Sequence, residues 1–267
     1  MFRLATKLAL KSAGIYRYGP QVHYASRAMG TLTAYSKVTM QEAEKRLGFM
    51  VREFEKNAIS VSHLLAQYKP EIEGLGKDEI QKTKEQVYDN IVQFIEGEGY
   101  PTESDEDFKE ANVNDLVLLI ILPILTAFRR KTGRNLYLQR EKEIIAADSE
   151  TGGYQEFVMV GFIGVGNQKF VFVVEAKKSS VGQAKRQCLL AMKDIADRNG
   201  GGVVYGFVTT GEEWQMFRYD STVFTQTCKF QALSQNMTQE KGTWMKEASI
   251  VVDCIHAALR SGGFVVD

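Results

Sequence analysis

The chain has 267 residues, of which 44% are hydrophobic and 25% charged, an ordinary composition for a globular protein with a substantial core. Lys and Arg together number 33, as do Asp and Glu, so no net charge attracts the whole molecule to nucleic acid or to an anionic membrane surface. Binding of either kind must come from a local patch.

Cysteine and histidine usage excludes several kinds of chemistry. Cys188, Cys228 and Cys254 are far apart and form no CxxC pair, so neither a disulfide framework nor a zinc knuckle is indicated. None of the three histidines has a His or Cys partner at metal-ligand spacing, which disfavours zinc catalysis and a Ser-His-Asp mechanism. We therefore expect an intracellular protein whose chemistry, if it has any, uses carboxylates and lysines.

The N-terminal stretch, residues 1–38, has a composition of its own. No Asp or Glu precedes Glu42, whereas six Lys and Arg residues are spread through the stretch. An acid-free amphipathic start of this kind is typical of a mitochondrial transit peptide. The alternatives are a basic arm, with the protein nuclear or cytoplasmic, or an upstream extension of a protein that begins at Met29.

Residues 39–110 are predicted to form a helical extension that ends in an acidic linker. Apolar residues recur at three- and four-residue intervals over Thr39–Tyr68 and again over Lys77–Glu96, as in amphipathic helices. The acidic segment Glu103–Asp107 then predicts a boundary between parts of the chain. These helices are candidates for docking a protein partner, and the sequence leaves the oligomeric state open.

Residues 111–267 have the pattern of an α/β domain that ends in a helix. An N-cap at Asn114-Asp115 opens an apolar helix, and its run Leu116–Phe128 is shorter than the ~20 residues that span a bilayer, so we expect a core helix and no membrane span. Strands are predicted over Leu136–Ala146, Glu156–Ile163, Lys169–Ala176, Val203–Thr209 and Glu213–Tyr219, with helices over Val181–Arg198 and Trp244–Leu259.

Two charged residues follow an apolar strand that is expected to be buried on both faces. Glu175 and Lys177 are two positions apart, so on a strand their side chains emerge on one face. A carboxylate there can bind a hard cation such as Mg²⁺ or Mn²⁺, and the ammonium can position a water and stabilise phosphoryl charge. Glu156, at the predicted start of the neighbouring strand, could share that ion. An isolated E-x-K is common by chance and is usually a solvated salt bridge, so its structural context decides.

The order of helix, carboxylate-bearing strand, apolar E-x-K strand and Gln-containing helix resembles the PD-(D/E)XK, or restriction-endonuclease-like, nuclease superfamily. Val204–Phe217 is similar to a stretch found in a subgroup of fungal crinkler-type effector proteins. The resemblance covers about Asp115 to Asp220. It implies a mixed central sheet flanked by helices and a Mg²⁺-dependent nuclease with catalytic residues Glu156, Glu175, Lys177 and Gln187, of which the two glutamates bind the metal.

Several secondary candidates accompany these residues. Gln183 lies one helical turn before Gln187. The family usually has Asp where this chain has Glu156, so Glu143, and after it Asp148 or Glu150, could supply the acid instead. The alternative reading is a catalytically inactive nuclease-fold binding or effector module, in which Glu175 and Lys177 form an internal ion pair.

A local cluster of basic residues follows the E-x-K motif. Lys178, Lys185 and Arg186 could together meet a phosphate backbone, which makes them the candidate nucleic-acid-binding residues. The competing interpretation is a solvated helix face with no ligand.

Overall fold

A computed structural model describes residues 32–67, 75–102, 104–162 and 168–263. The chain from Thr31 onward forms one compact unit. The helices of the region 39–110 and the predicted acidic linker therefore belong to the same unit as the α/β region. Most of the basic N-terminal stretch, including the expected transit peptide, lies outside the described residues.

The described residues contain one mixed sheet of eight strands. The strands are β1 (Thr33–Ala34), β2 (Leu136–Ile145), β3 (Thr151–Phe162), β4 (Gln168–Ala176), β5 (Val204–Thr209), β6 (Glu213–Tyr219), β7 (Phe224–Gln226) and β8 (Phe230–Gln231). β2, β3 and β4 pair antiparallel in that order, β4 and β5 are parallel, and β5 and β6 are antiparallel. β7 and β8 both pair with β6, and β1 pairs parallel with β3.

Helices cover both faces of this sheet. Within the described ranges the α-helices are α1 (Met40–Leu47), α2 (Val51–Glu55), α3 (Val61–Ala66), α4 (Lys77–Glu98), α5 (Glu110–Thr132), α6 (Val181–Asn199), α7 (Lys241–Glu247) and α8 (Ile250–Ser261). A parallel pair needs a crossover connection, which α6 provides between β4 and β5. The predicted α/β class, a mixed sheet flanked by helices, is confirmed.

The sheet separates two hydrophobic cores. On β5, Tyr205 and Phe207 pack in the core that contains α4, α5 and α8, while Val204 and Val208 pack in the core that contains α6. This alternation follows from the two-residue period of a strand. Burial on both faces is what the uninterrupted apolar run in β4 predicted.

The predicted single helix over Thr39–Tyr68 is wrong, because the chain forms three short helices there. Thr39 caps α1 in a capping box with Glu42, and Gly48 ends α1 in the left-handed conformation with φ 84°. Ser60 then accepts the main-chain N–H of His63 and starts α3. The predicted helix Trp244–Leu259 is likewise two helices, α7 and α8.

The folded unit also begins earlier than the predicted end of the N-terminal arm at residue 38. Tyr35 is fully buried, and its hydroxyl donates to Asp194 Oδ2 on α6 at 2.6 Å. Arg46 Nη2 on α1 donates to Asp194 Oδ1 at 3.0 Å. The residues around Tyr35 are therefore part of the folded core rather than of an arm.

The apolar helix α5 starts at Glu110 rather than at the predicted cap, Asn114-Asp115. The main-chain N–H of Lys109 is satisfied by Asn112 Oδ1 at 2.7 Å, which fixes the earlier start. With 23 residues α5 is long and apolar enough, by length and composition, to cross a membrane, although half of its apolar window is buried inside the protein. Soluble core helices share these properties, and Ile120, Ile124 and Phe128 are fully buried in the core.

Pro123 lies inside α5 and has no main-chain N–H to offer the carbonyl of Leu119 four residues earlier. The side chain of Asn90 on α4 supplies the missing donor, because its Nδ2 lies 3.2 Å from the Leu119 oxygen. The packing of α4 on α5 thus satisfies a backbone group that the sequence of α5 leaves open.

We predict that Asn90→Ala lowers the free energy of unfolding by about 1–3 kcal/mol, because it leaves the Leu119 carbonyl without a donor. In a Pro123→Ala background the same change should cost less, since the helix regains its own N–H. Denaturant unfolding of the two single variants and the double variant measures this coupling. Equal losses in both backgrounds would show that Asn90 does not compensate for Pro123.

Candidate functional site

Glu156 and Glu175 lie side by side on neighbouring strands. β3 and β4 pair antiparallel with Phe157 opposite Val174, so the next position along the ladder brings Glu156 beside Glu175. Glu175 is fully buried, and the side chain of Glu156 is 13% exposed. Glu156 is not at the start of its strand as predicted, because β3 already begins at Thr151.

Lys177 joins this pair from the residue just beyond β4. Its main-chain N–H donates to the Thr209 carbonyl at 3.0 Å, which continues the ladder between β4 and β5. Its ammonium donates to Glu156 Oε1 and, at 2.9 Å, to Glu110 Oε1. Lys177 therefore lies between two carboxylates and beside a third.

Glu110 is the residue of this site that sequence reasoning missed. It is the first residue of α5, and its side chain is about half exposed. In the sequence it is one acid among several in the stretch around residues 103–110, with no spacing that singles it out. Only the packing of the first turn of α5 over the end of β4 brings it to Lys177.

The charge of the Glu156–Glu175 pair is only partly compensated by its neighbours. Burial, followed by the neighbouring Glu156 carboxylate, raises the pKa of Glu175 well above its usual range. Neither oxygen of Glu175, nor Oε2 of Glu156, has a hydrogen-bond partner among the described residues. A proton shared by the two carboxyls, or a bound cation, would satisfy these oxygens.

Lys177 remains a cation in this setting. Burial alone would lower the pKa of its ammonium, but the hydrogen bonds to Glu156 and Glu110 outweigh that effect and raise it. A lysine with a raised pKa is a poor proton acceptor at neutral pH. Lys177 is therefore suited to donate hydrogen bonds and to stabilise negative charge rather than to act as a general base.

α6 presents a thiol to the carboxylate pair. Cys188 is fully buried, and burial together with the charges of Glu175 and Glu156 raises the pKa of its thiol. The predicted site residue Gln187 precedes it and is 7% exposed, with its Oε1 unpartnered among the described residues. Gln183, one helical turn earlier on the same face of α6, is exposed.

The substitute acids considered for Glu156 lie elsewhere. Glu143 is exposed on β2, where it lies opposite Tyr154 of β3 in the strand register. Asp148 and Glu150, near the turn between β2 and β3, face Arg46 at 2.8 and 3.8 Å. Glu156 is thus the acid that the strand register places beside Glu175.

The predicted basic cluster is only partly exposed. Lys185 is buried at 7% exposure and its Nζ lies 2.7 Å from Glu55 Oε1 on α2, so it is not available to a phosphate backbone as predicted. Lys178 donates to the main-chain oxygen of Asp105, and Arg186 is half-buried. Lys178 also lines a cleft of about 310 Å³ beside the ends of β4 and β5, together with Thr102, Thr210, Glu212 and Gln231.

No model of a known protein family matches the chain, and no curated protein gives a significant sequence match. The described residues also contain no group of three or more His, Cys, Asp and Glu side chains arranged to hold a metal.

We predict that Glu175→Gln stabilises the metal-free protein at neutral and alkaline pH. Because the folded-state pKa of Glu175 is raised, the folded protein holds this proton more tightly than the unfolded chain. The free energy of unfolding therefore falls as pH rises above the ordinary value of 4.5 and through the raised pKa. The variant removes that decline without removing a partner of Lys177.

Urea unfolding at pH 4.5, 6 and 8 in the presence of a chelator measures this effect. The advantage of the variant should be largest at pH 8 and shrink toward pH 4.5, and the matched control Glu143→Gln, an exposed carboxylate, should show none. A variant that is less stable than the wild type at pH 8 would contradict a repulsive carboxylate pair.

Proposed function

We propose that this protein is a metal-dependent nuclease that hydrolyses phosphodiester bonds in nucleic acid. The observation that carries the proposal is the pair of the buried Glu175 and the half-buried Glu156, beside a lysine that stays cationic. Three oxygens of this pair have no hydrogen-bond partner among the described residues. Buried carboxylates with perturbed pKa values are more frequent at functional sites than elsewhere.

The residues fit a hard divalent cation, Mg²⁺ or Mn²⁺. Mg²⁺ is commonly held by one or two carboxylates, with waters and substrate phosphates completing its shell, so Glu156 and Glu175 are enough protein ligands. Such a cation would offset the burial and the neighbouring Glu156 charge, which together raise the pKa of Glu175. When bound, it supplies positive charge to a phosphodiester and acidifies water.

The remaining side chains have complementary roles in this proposal. Lys177, fixed between Glu156 and Glu110, donates hydrogen bonds to the attacking water or to a phosphate oxygen and stabilises charge in the transition state. Gln187 orients that water or a phosphate oxygen through its amide. Because Lys185 is buried, Lys178 and Arg186 are the two predicted basic residues that bind the nucleic-acid backbone in this proposal.

The order of elements supports a restriction-endonuclease-like core. α5, three antiparallel strands β2, β3 and β4, the crossover helix α6 and the parallel strand β5 follow one another in the sequence. This succession contains the helix, carboxylate-bearing strand, E-x-K strand and Gln-containing helix on which the resemblance to PD-(D/E)XK nucleases is based. The E-x-K residues stand at the end of β4, which pairs with β3 on one side and with β5 on the other.

A second candidate function is a catalytically inactive binding or effector module with the same fold. Two observations favour it: Glu156 replaces the usual Asp, and the ammonium of Lys177 already has two carboxylate partners. Docking of a protein partner by the N-terminal helices stays a prediction, and the inner faces of these helices, including Leu47, Leu64 and Ile91, are buried in the two cores.

We predict that Lys177→Ala lowers the cleavage rate by ~10²–10³, by analogy with the loss of a transition-state hydrogen-bond donor. Cleavage of labelled single- and double-stranded DNA and RNA in Mg²⁺ or Mn²⁺ is the measurement. Melting temperatures of the variant and the wild type are compared at saturating metal. Under that condition the bound cation replaces the Lys177 ammonium as the partner of Glu156. The control Lys246→Ala removes an exposed lysine on α7 and should cleave like the wild type.

Calorimetric titration of Mg²⁺ or Mn²⁺ separates the two candidate functions. Metal binding that Glu175→Gln abolishes, without cleavage of any substrate, would favour the inactive module. A wild-type protein that neither binds metal nor cleaves would overturn the nuclease proposal.

A further inference from the structure

The cleft of about 310 Å³ beside the ends of β4 and β5 adjoins the carboxylate pair. Lys178 lines it and follows Lys177 directly in the chain. Val113 lines it from the first turn of α5, three residues after Glu110, whose carboxylate binds the Lys177 ammonium at 2.9 Å. Side chains three residues apart on a helix have Cβ atoms about 5–6 Å apart. A ligand in this cleft therefore lies about one helical turn from the proposed catalytic lysine.

The lining combines apolar groups and hydrogen-bonding groups. The apolar residues, from the chain before α5 and its first turn, are Pro101, Phe108 and Val113. The polar residues near them, from the loop between β5 and β6 and from β8, include Thr210, Glu212 and Gln231. Pockets that hold an extruded nucleobase have the same composition, because the faces of the ring pack on apolar groups and its edge forms hydrogen bonds.

The charges of the cleft favour a hydrogen-bond donor over a second phosphate. Two carboxylates, Glu212 and Glu213, and one ammonium, Lys178, line it. Glu213 pairs with Lys229, whereas the exposed carboxylate of Glu212 has no ion pair or hydrogen bond within the described ranges. An ionised carboxylate only accepts hydrogen bonds. Glu212 is therefore the group of this cleft that an N–H donor on a ligand would satisfy.

The loop that carries Glu212 is held in place before any ligand arrives. The main-chain oxygen of Glu212 accepts the Ala232 N–H at 2.7 Å, and Thr209 Oγ1 accepts the Gly211 N–H at 2.8 Å. Gly211 has φ 90°, and a Cβ there would lie 3.1 Å from the side chain of Leu116 on α5. A loop that is already ordered loses less conformational entropy on binding.

We propose that this cleft takes the base of one unpaired nucleotide beside the scissile phosphate, a base with an exocyclic amine, cytosine or adenine. The inference rests on the proposed nuclease function and makes single-stranded nucleic acid its substrate class. A base inside a duplex is stacked and paired, so it cannot enter a pocket without being extruded. Glu212 accepts a hydrogen bond from the amine, as acidic side chains do from cytosine N4, whereas thymine has a carbonyl oxygen at that position. The volume is at the lower end of small-molecule sites, roughly 300–1,000 Å³, which suits a single base.

Titration of the full chain with nucleosides, in a chelator and without divalent cations, tests the cleft independently of cleavage. Cytidine and uridine, like adenosine and inosine, differ by an amine in place of a carbonyl, and none of them carries a phosphate. Amide chemical shifts of the loop between β5 and β6 report the binding. We expect saturable binding in which cytidine or adenosine binds about ten- to a hundredfold more tightly than its oxo counterpart, the difference expected for a hydrogen bond to a charged group.

Glu212→Gln should remove this preference, because an amide both accepts and donates hydrogen bonds and so serves an amine or a carbonyl. Glu212 is exposed, and the isosteric change should leave the fold intact. The matched control is Glu85→Gln, which neutralises an exposed glutamate on α4 and should keep the wild-type preference.

A second arm measures cleavage of oligo(dC), oligo(dA), oligo(dT) and a duplex in Mg²⁺ or Mn²⁺. We expect single strands of dC or dA to be cleaved faster than dT and faster than the duplex. Nucleoside preference without cleavage of any substrate would uphold the base-binding cleft and overturn the nuclease. Cleavage with no nucleoside preference, or a preference that survives Glu212→Gln, would overturn the cleft and leave the nuclease standing.

Discussion

The antiparallel register of β3 and β4 places two carboxylates beside each other in a sheet that is covered on both faces. Placing like charges together out of water is unfavourable, and the surrounding elements are arranged to limit that cost. Lys177 neutralises part of the charge, and the first turn of α5 supplies Glu110, which holds the ammonium in place. The position of α5 and the electrostatics of the site therefore depend on each other.

Local patterns predicted most of the sheet. Strand β6 has the predicted bounds, and E-x-K at the end of an apolar strand predicted that Glu175 and Lys177 share one region of the protein. The division of residues 39–68 into separate helices was missed, although the sequence contains local signals for it. Gly48 ends α1 and Ser60 starts α3, and helical periodicity across the region obscured both signals.

Contacts between distant parts of the chain could not be read from the sequence. Glu110 is 67 residues from Lys177, and Glu55 is 130 residues from Lys185, and no spacing rule connects such positions. Gly206 is a further example, because its place within the predicted strand Val203–Thr209 does not indicate why a glycine is needed there. A Cβ there would lie 2.4 Å from Met192 Sδ and 2.5 Å from Cys188 Sγ, so this glycine lets α6 approach the sheet closely enough to bring Cys188 to the carboxylates.

The main chain also ties the first and last thirds of the molecule together. Ile59 forms a parallel bridge with Thr227, through hydrogen bonds of 3.0 Å to the Gln226 oxygen and 2.7 Å from the Cys228 N–H. Non-local contacts of this kind slow folding, because the connecting chain must be ordered before they form. On a ribosome Ile59 must wait for the strands near residue 227, so a nascent chain that stops before them leaves the start of α3 without its main-chain partner.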